Sequence, residues 1–240
     1  MAHDFEIEPG VTVGEWLHDK IVRTLIIERA PWALEPVGGG AARLQAGRPQ
    51  SEQLEVVIPW VSARTAFTVP GRYIYLTRGL LERLPDDETA AFVIAHEIAH
   101  HDLGHLALIP KWMPRFAVAR GGALAVVAMS GLERRLYGPE RECEADRHAI
   151  DLCVKAGYEA EKCLNFFHIM ELIALDAGDD DIVFGPDPDS DGELLPEAPW
   201  LTNARIWAWQ RTRGYLPLRD RAGAIRAHLA GRAESARRPA

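Results

Sequence analysis

The sequence is short of several features that would direct a reading elsewhere. It has three cysteines, Cys143, Cys153 and Cys163, and an odd count cannot all pair. With no secretory signature beside them, they are expected to be free thiols in a reducing compartment, packed as small hydrophobes. There is no excess of basic charge: Lys and Arg total 27 against 35 Asp and Glu, a formal net charge of -8. That balance argues against nucleic acid as the main partner, because a phosphate backbone selects a basic face. The one dense basic element is the C-terminal "RAESARRP", expected to be a frayed tail. The N-terminal "MAHDFEIEPG" has no basic n-region and no apolar core, so no signal peptide is read there. Long apolar runs are missing too. The most apolar stretch, "FAVARGGALAVVAMSG" over 116–131, is short for a bilayer span and carries Arg120 and a Gly-Gly pair. It is expected to form a buried or surface-lying helix, with peripheral membrane contact as the alternative. Internal repeats are absent. The expected location is cytoplasmic, or peripheral to a membrane.

Hydrophobic residues make up 48% of the 240, enough for a packed core in one sizeable domain. The pattern along the chain predicts a single α+β domain over 1–240, mostly helical. "VGEWLHDKIVRTLIIER", 13–29, has Trp16, Leu17, Ile21, Leu25 and Ile26 at helical spacing. "PVGGGAARLQAGRPQ" reads as a Gly/Pro-rich loop. "LEVVIPW" and "TAFTVPGRYIYLTRG" read as strands of a small antiparallel sheet within 54–78, turning at Pro70-Gly71. A helical core follows over 86–175. Its first helix is capped by Asp86 or Asp87 and ends at Gly104; a second runs from Pro139 to Gly157; a third is "EAEKCLNFFHIMELIALDAG". An acidic loop over 176–199 precedes closing helices within 203–230. That loop starts like a calcium loop, with Asp187, Asp189, Asp191 and Gly192, but position twelve is Ala198 where a bidentate glutamate belongs. Calcium is therefore not expected. The loop is read as solvated acidic chain, or as a lid over a cleft.

The chemistry concentrates in "AFVIAHEIAHHDLGH", 91–105. His96 and His100 are four apart, and four helical residues turn about 400°, so both rings lie on one face. Two imidazoles at that spacing suit one metal ion, and Glu97 beside them suits a general base that is not itself a ligand. Catalytic zinc takes three protein ligands and leaves a fourth position for water. The best third ligand is Glu142 in "ERECEADRHA", four residues from Asp146 and on the same helix face. One of that pair can ligate while the other accepts the spare N–H of a ligand histidine. Glu144 points roughly opposite Glu142 and is a poor substitute. His101 and Asp102 lie on another face and are expected to be solvated. His105 follows Gly104 and is a candidate for the cleft. His168, Arg205 and Tyr158 are candidates, by residue type alone, for an oxyanion donor.

"AFTVPGRYIYLTRGLLERLPDDETAAFVIAHEIAHHDLGH", followed by "ERECEADRHAIDLCVKAGY", resembles the HtpX-like zinc metallopeptidases, which include the type I CAAX prenyl proteases. The resemblance spans about residues 55–175. It implies a zincin-like fold, one zinc ion, Glu142 as third ligand and Asp146 as support for a ligand histidine. The chain departs from the family pattern in three ways. Thr65-Ala66-Phe67 stands where Asn-Ala-Phe is usual, no His-Pro pair follows, and no transmembrane helix is read. The implied activity is that of a zinc metalloendopeptidase in which zinc acidifies a water, Glu97 moves its proton, and a peptide or unfolded protein is cleaved, as in protein quality control. Ala66 and Phe67 would lie on a substrate-binding strand. The competing reading is a latent or non-catalytic zinc-binding interaction protein on a protease fold.

Overall fold

A computed structural model describes residues 12–108, 122–176, 184–186, 194–195 and 218–237. Helix α1 (Val13–Thr24) starts on a capping box: Thr12 Oγ1 accepts from Glu15 N at 3.2 Å, and the Glu15 carboxylate accepts from Thr12 N at 2.8 Å. Trp16, Leu17 and Ile21 are buried, as their spacing predicts. The helix ends before residue 29 because the following chain pairs elsewhere: Glu28 N donates to Ile58 O at 2.8 Å, and Ile27 bridges Pro59.

The first part of the Gly/Pro-rich stretch read as a loop, 36–44, is helical instead, while 45–49 is turn and irregular chain as expected. Helix α2 (Pro31–Leu44) begins with a proline in its first turn and continues through Pro36 and three glycines. Glycine in a helix interior costs about 1 kcal/mol each. Burial of Ala33, Val37, Ala41 and Leu44, one stripe at helical spacing, offsets that cost through packing on the central helix.

Three strands follow, β1 (Glu55–Val57), β2 (Ala66–Thr68) and β3 (Tyr73–Leu76), in the order β1-β3-β2. The β2–β3 pair is antiparallel around Pro70-Gly71, as expected. The wholly antiparallel sheet is not found: β1 runs parallel to β3, with Glu55 opposite Tyr73 and Val57 opposite Tyr75. Pro59 accounts for this. It cannot donate to a ladder, and its carbonyl takes Val61 N and Arg78 N, so the chain turns away instead of forming a hairpin after β1.

After the single turn α3 (Arg78–Leu81) comes the central helix, α4 (Asp87–Asp102). Asp86 caps it, accepting from Thr89 N at 2.8 Å, and Gly104 closes it at φ 70°. Helix α4 is buried around most of its circumference, packed by α2, the sheet, α5 (Gly122–Lys155) and α6 (Ala160–Asp176). Phe92 meets Phe166 and Phe167 at 5.5 and 5.4 Å between ring centres. Helix α5 breaks at Gly138, φ 70° and ψ 172°, so that Pro139 starts a new helical run as expected. Cys153 and Cys163 are buried and all three cysteines are free thiols.

Within the acidic segment, β4 (Phe184–Pro186) and β5 (Leu194–Leu195) pair antiparallel. The Asp187–Gly192 stretch, and the helix expected from 203, lie outside the described residues. Helix α7 (Leu218–Arg237) closes the chain. The expected frayed tail is helical through Arg237, with Arg232 at its start ion-paired to Asp151; before the tail, Arg226 pairs with Glu161. Residues 116–121 of the apolar stretch also lie outside the described residues. Among the described residues, no helix is long and apolar enough to cross a membrane.

Gly14 is where α1 meets the β2–β3 turn. A Cβ there would stand 1.4 Å from the Pro70 carbonyl oxygen, whereas one at Gly223 on α7 meets nothing within 4 Å. Gly14→Ala should lower unfolding free energy by about 1–3 kcal/mol or more. Gly223→Ala should raise it by about 0.5–1 kcal/mol. Urea denaturation of both variants checks the pair.

Candidate metal centre

Helix α4 brings His96 and His100 to one face, and the run of α5 after Gly138 lays Glu142 against them. His96 Nε2 and His100 Nε2 are 3.1 Å apart. Glu142 Oε2 is 3.6 Å from His96 Nε2, and its Oε1 is 3.8 Å from His100 Nε2. Among the described residues these three form the one group whose donor atoms converge, all within 4.8 Å of one another. Donors about 2.0–2.1 Å from a tetrahedral ion stand about 3.3 Å from each other, so the spacings fit a zinc-sized cation with little movement. Two imidazoles and a carboxylate also match zinc chemically.

The groups behind these donors hold them in place. Asp146 Oδ1 lies 3.1 Å from His96 Nδ1, a charge contact that falls short of a well-directed hydrogen bond. Asp146 is 1% exposed and Glu142 4%. Both carboxylates are served by Arg221 of α7, which donates to Asp146 from Nε and Nη2 at 2.7 Å each and lies 3.3 Å from Glu142. Arg221 was missed from the sequence. A signal existed: it falls on the same stripe as Leu218, Ala222 and Ile225, an arginine on the apolar face of a helix.

These contacts set the protonation states of the metal-free protein. Burial lowers the His96 pKa, but the adjoining Asp146 and Glu142 carboxylates more than reverse that, pushing it up to about 10. Burial and the neighbouring His96 charge take His100 down to about 2. Burial raises Glu142 and Asp146, and this is outweighed by His96 and Arg221, leaving both well below the usual carboxylate range. One protonated imidazole thus stands where a cation would go.

Other candidates are sorted by the fold. Glu97 is buried, at 7% exposure, between the two histidines on α4. Of the pair expected to be solvated, Asp102 is exposed, where it takes Arg48 at 2.7 Å and His148 at 3.0 Å, whereas His101 is half-buried and its Nε2 bonds the Thr68 hydroxyl of β2. They fasten α4 to its neighbours. His105 is 5% exposed, with Nδ1 3.0 Å from His100 Nδ1, so it stands behind a ligand position. Glu144 takes no place among the three donors; its carboxylate lies 3.4 Å from His105 Nε2. His168 is exposed on α6, outside the cluster. Tyr158 packs under Arg43, 4.0 Å from its ring centre, on the α2 side of the core. Arg205 lies outside the described residues. Ala66 is half-buried on β2, and the Phe67 ring is fully buried against Tyr75 at 4.8 Å.

Arg221→Met should leave two buried carboxylates short of charge and cost about 3–5 kcal/mol of stability in the metal-free protein. Adding Asp146→Leu should recover part of that loss in denaturant titrations. A pH series gives a second check. The His96 pKa is raised from 6.5 to about 10, so its contribution is fully present below pH 6.5 and is lost as pH rises through 10. The metal-free melting temperature should fall across that window. Stabilisation by added zinc should grow over it, because ligation needs the neutral ring.

Compared with models of known families, residues 40–203 match that of peptidase family M48. No curated protein matches the sequence. The family match covers more than half of the chain and includes both histidines and Glu142, and the protein therefore belongs to peptidase family M48.

Proposed function

We propose that the protein is a zinc metalloendopeptidase of the HtpX-like type, acting on peptides or unfolded proteins. The convergence of His96 Nε2, His100 Nε2 and the Glu142 carboxylate from two helices carries the reading. The order of the two motifs, His96-Glu97-x-x-His100 and then Glu142-x-x-x-Asp146, supports the subtype. The three donors would hold the ion. Zinc in such a site supplies Lewis acidity and brings the pKa of a water toward about 7.

The protein's own groups do the rest. Glu97 is the base that takes the proton of the attacking water at its carboxylate and passes it to the leaving amine nitrogen. Its burial favours this role, since a general base works best where bulk water does not compete, and a purely structural site has no use for it. Asp146 keeps His96 oriented, and Arg221 keeps Asp146 and Glu142 ionised. Strand β2 is at one end of the sheet order, and among the described residues no strand pairs with its outer edge. A substrate segment would add there by main-chain hydrogen bonds, with Ala66 allowing close approach. Phe67 contributes backbone only, because its ring is committed to the core.

The test compares zinc content and cleavage of an unfolded protein by wild type and Glu97→Gln. Cleavage should fall by about 10²–10⁴-fold while zinc stays stoichiometric. Equal cleavage by the two proteins sinks the mechanism. Zinc binding with no cleavage by wild type would favour the latent or non-catalytic interaction protein.

A further inference from the structure

Each ligand histidine turns one nitrogen toward the centre and one away, and the outward nitrogens have different partners. His96 Nδ1 faces the Asp146 carboxylate. His100 Nδ1 faces Nδ1 of a third histidine, His105, at 3.0 Å. The other nitrogen of His105, Nε2, lies 3.4 Å from Glu144 Oε2, an ion-pair contact longer than a well-formed hydrogen bond, on a side chain that is 52% exposed. Tyr137 stacks on the His100 ring at 4.3 Å between centres and 23° between planes, which limits how that ring can turn.

We propose that His105 and Glu144 form a positioning relay for His100. The Glu144 carboxylate accepts from His105 Nε2–H, His105 Nδ1 accepts from His100 Nδ1–H, and the lone pair on His100 Nε2 is thereby presented to the metal. The inference rests on the zinc-site reading above. Proton accounting carries it. A neutral imidazole has one N–H and one lone pair. Two Nδ1 atoms at 3.0 Å bond only if one donates and the other accepts. The direction is set from the carboxylate end, because an ionised carboxylate only accepts. His105 then holds its proton on Nε2 and offers a lone pair at Nδ1, which leaves His100 to donate. The opposite arrangement would put a proton on His100 Nε2, aimed at the site, and no ion could bind there. His105 does not itself join the donor atoms that converge on the centre. A carboxylate or carbonyl behind a ligand histidine is the common arrangement; here a buried histidine carries that function out to a carboxylate at the surface.

The test measures zinc affinity by competition with a chromogenic chelator for wild type, His105→Phe, His105→Gln and Glu144→Leu. It is read with the melting temperatures of the metal-free forms and the exchangeable imidazole N–H resonances of the cobalt(II)-substituted proteins. His105→Phe keeps a ring but no acceptor, and should weaken zinc binding by about 10–100-fold. It should also speed solvent exchange of one ligand N–H. His105→Gln restores an acceptor oxygen and should recover most of the affinity. Glu144→Leu, at the exposed end, should weaken zinc in the same direction with the metal-free melting temperature unchanged. Wild-type affinity in His105→Phe, or Gln no better than Phe, overturns the relay. If His105→Phe fails to fold, Glu144→Leu decides: unchanged affinity and unchanged N–H exchange overturn it as well. A wild type that binds no zinc would instead overturn the metallopeptidase reading itself.

Discussion

Two buried carboxylates on one helix need cations, and the arrangement of three helices follows from where those cations come from. Glu142 and Asp146 lie one turn apart on α5, nearly inaccessible to water. An ionised carboxylate in that setting costs several kcal/mol unless it is paired. His96 of α4 and Arg221 of α7 supply the pairing. A slip of α5 by one turn against α4 would put one of these carboxylates in the other's place and carry its neighbour away from both histidines. Phe92, Ile94 and Ile98 and their neighbours supply the burial that holds the helices together. The charges decide the register in which the helices meet.

The same pairing has a chemical consequence. Without metal, the protonated His96 neutralises the carboxylates. A zinc ion held there would take over that charge, and its binding would need the His96 proton to leave. The donors are already within reach of one another, so binding requires a change of proton rather than a change of fold. Helix α5 directs its acidic side chains to separate tasks: Glu142 at the donor cluster, Asp146 behind His96, and Glu144 behind His105. The spacing i, i+2, i+4 lets the outer two share a face while the middle one reaches round to the far side of His100.

Local patterns were legible in the sequence, and partners far along the chain were not. The four-residue spacings of His96 with His100 and Glu142 with Asp146 are helical geometry, and they brought the donor cluster into view before any fold was known. Asp86, Gly104 and Gly157 marked helix ends through capping chemistry that needs no tertiary context. Helix α2 was hidden because its glycines suggest a loop, and only packing against α4 outweighs them. The parallel pairing of β1 depends on Pro59 turning the chain, which strand propensity does not carry. His101 looked solvated because its partner, Thr68, belongs to a strand formed by a distant segment. Arg221 lies 75 residues from Asp146, and nothing local announces that pairing. His105 and Glu144 each drew notice alone, and their meeting needed the crossing of α4 and α5.

The central claim is that one zinc ion is held by His96, His100 and Glu142. Zinc X-ray absorption on the purified protein tests it most directly. The account predicts a first shell of nitrogen and oxygen only, at about 2.0–2.1 Å, with scattering from two imidazole rings. A sulfur scatterer at about 2.3 Å, which would bring in Cys143 beside Glu142, or a shell without the imidazole pair, would contradict it.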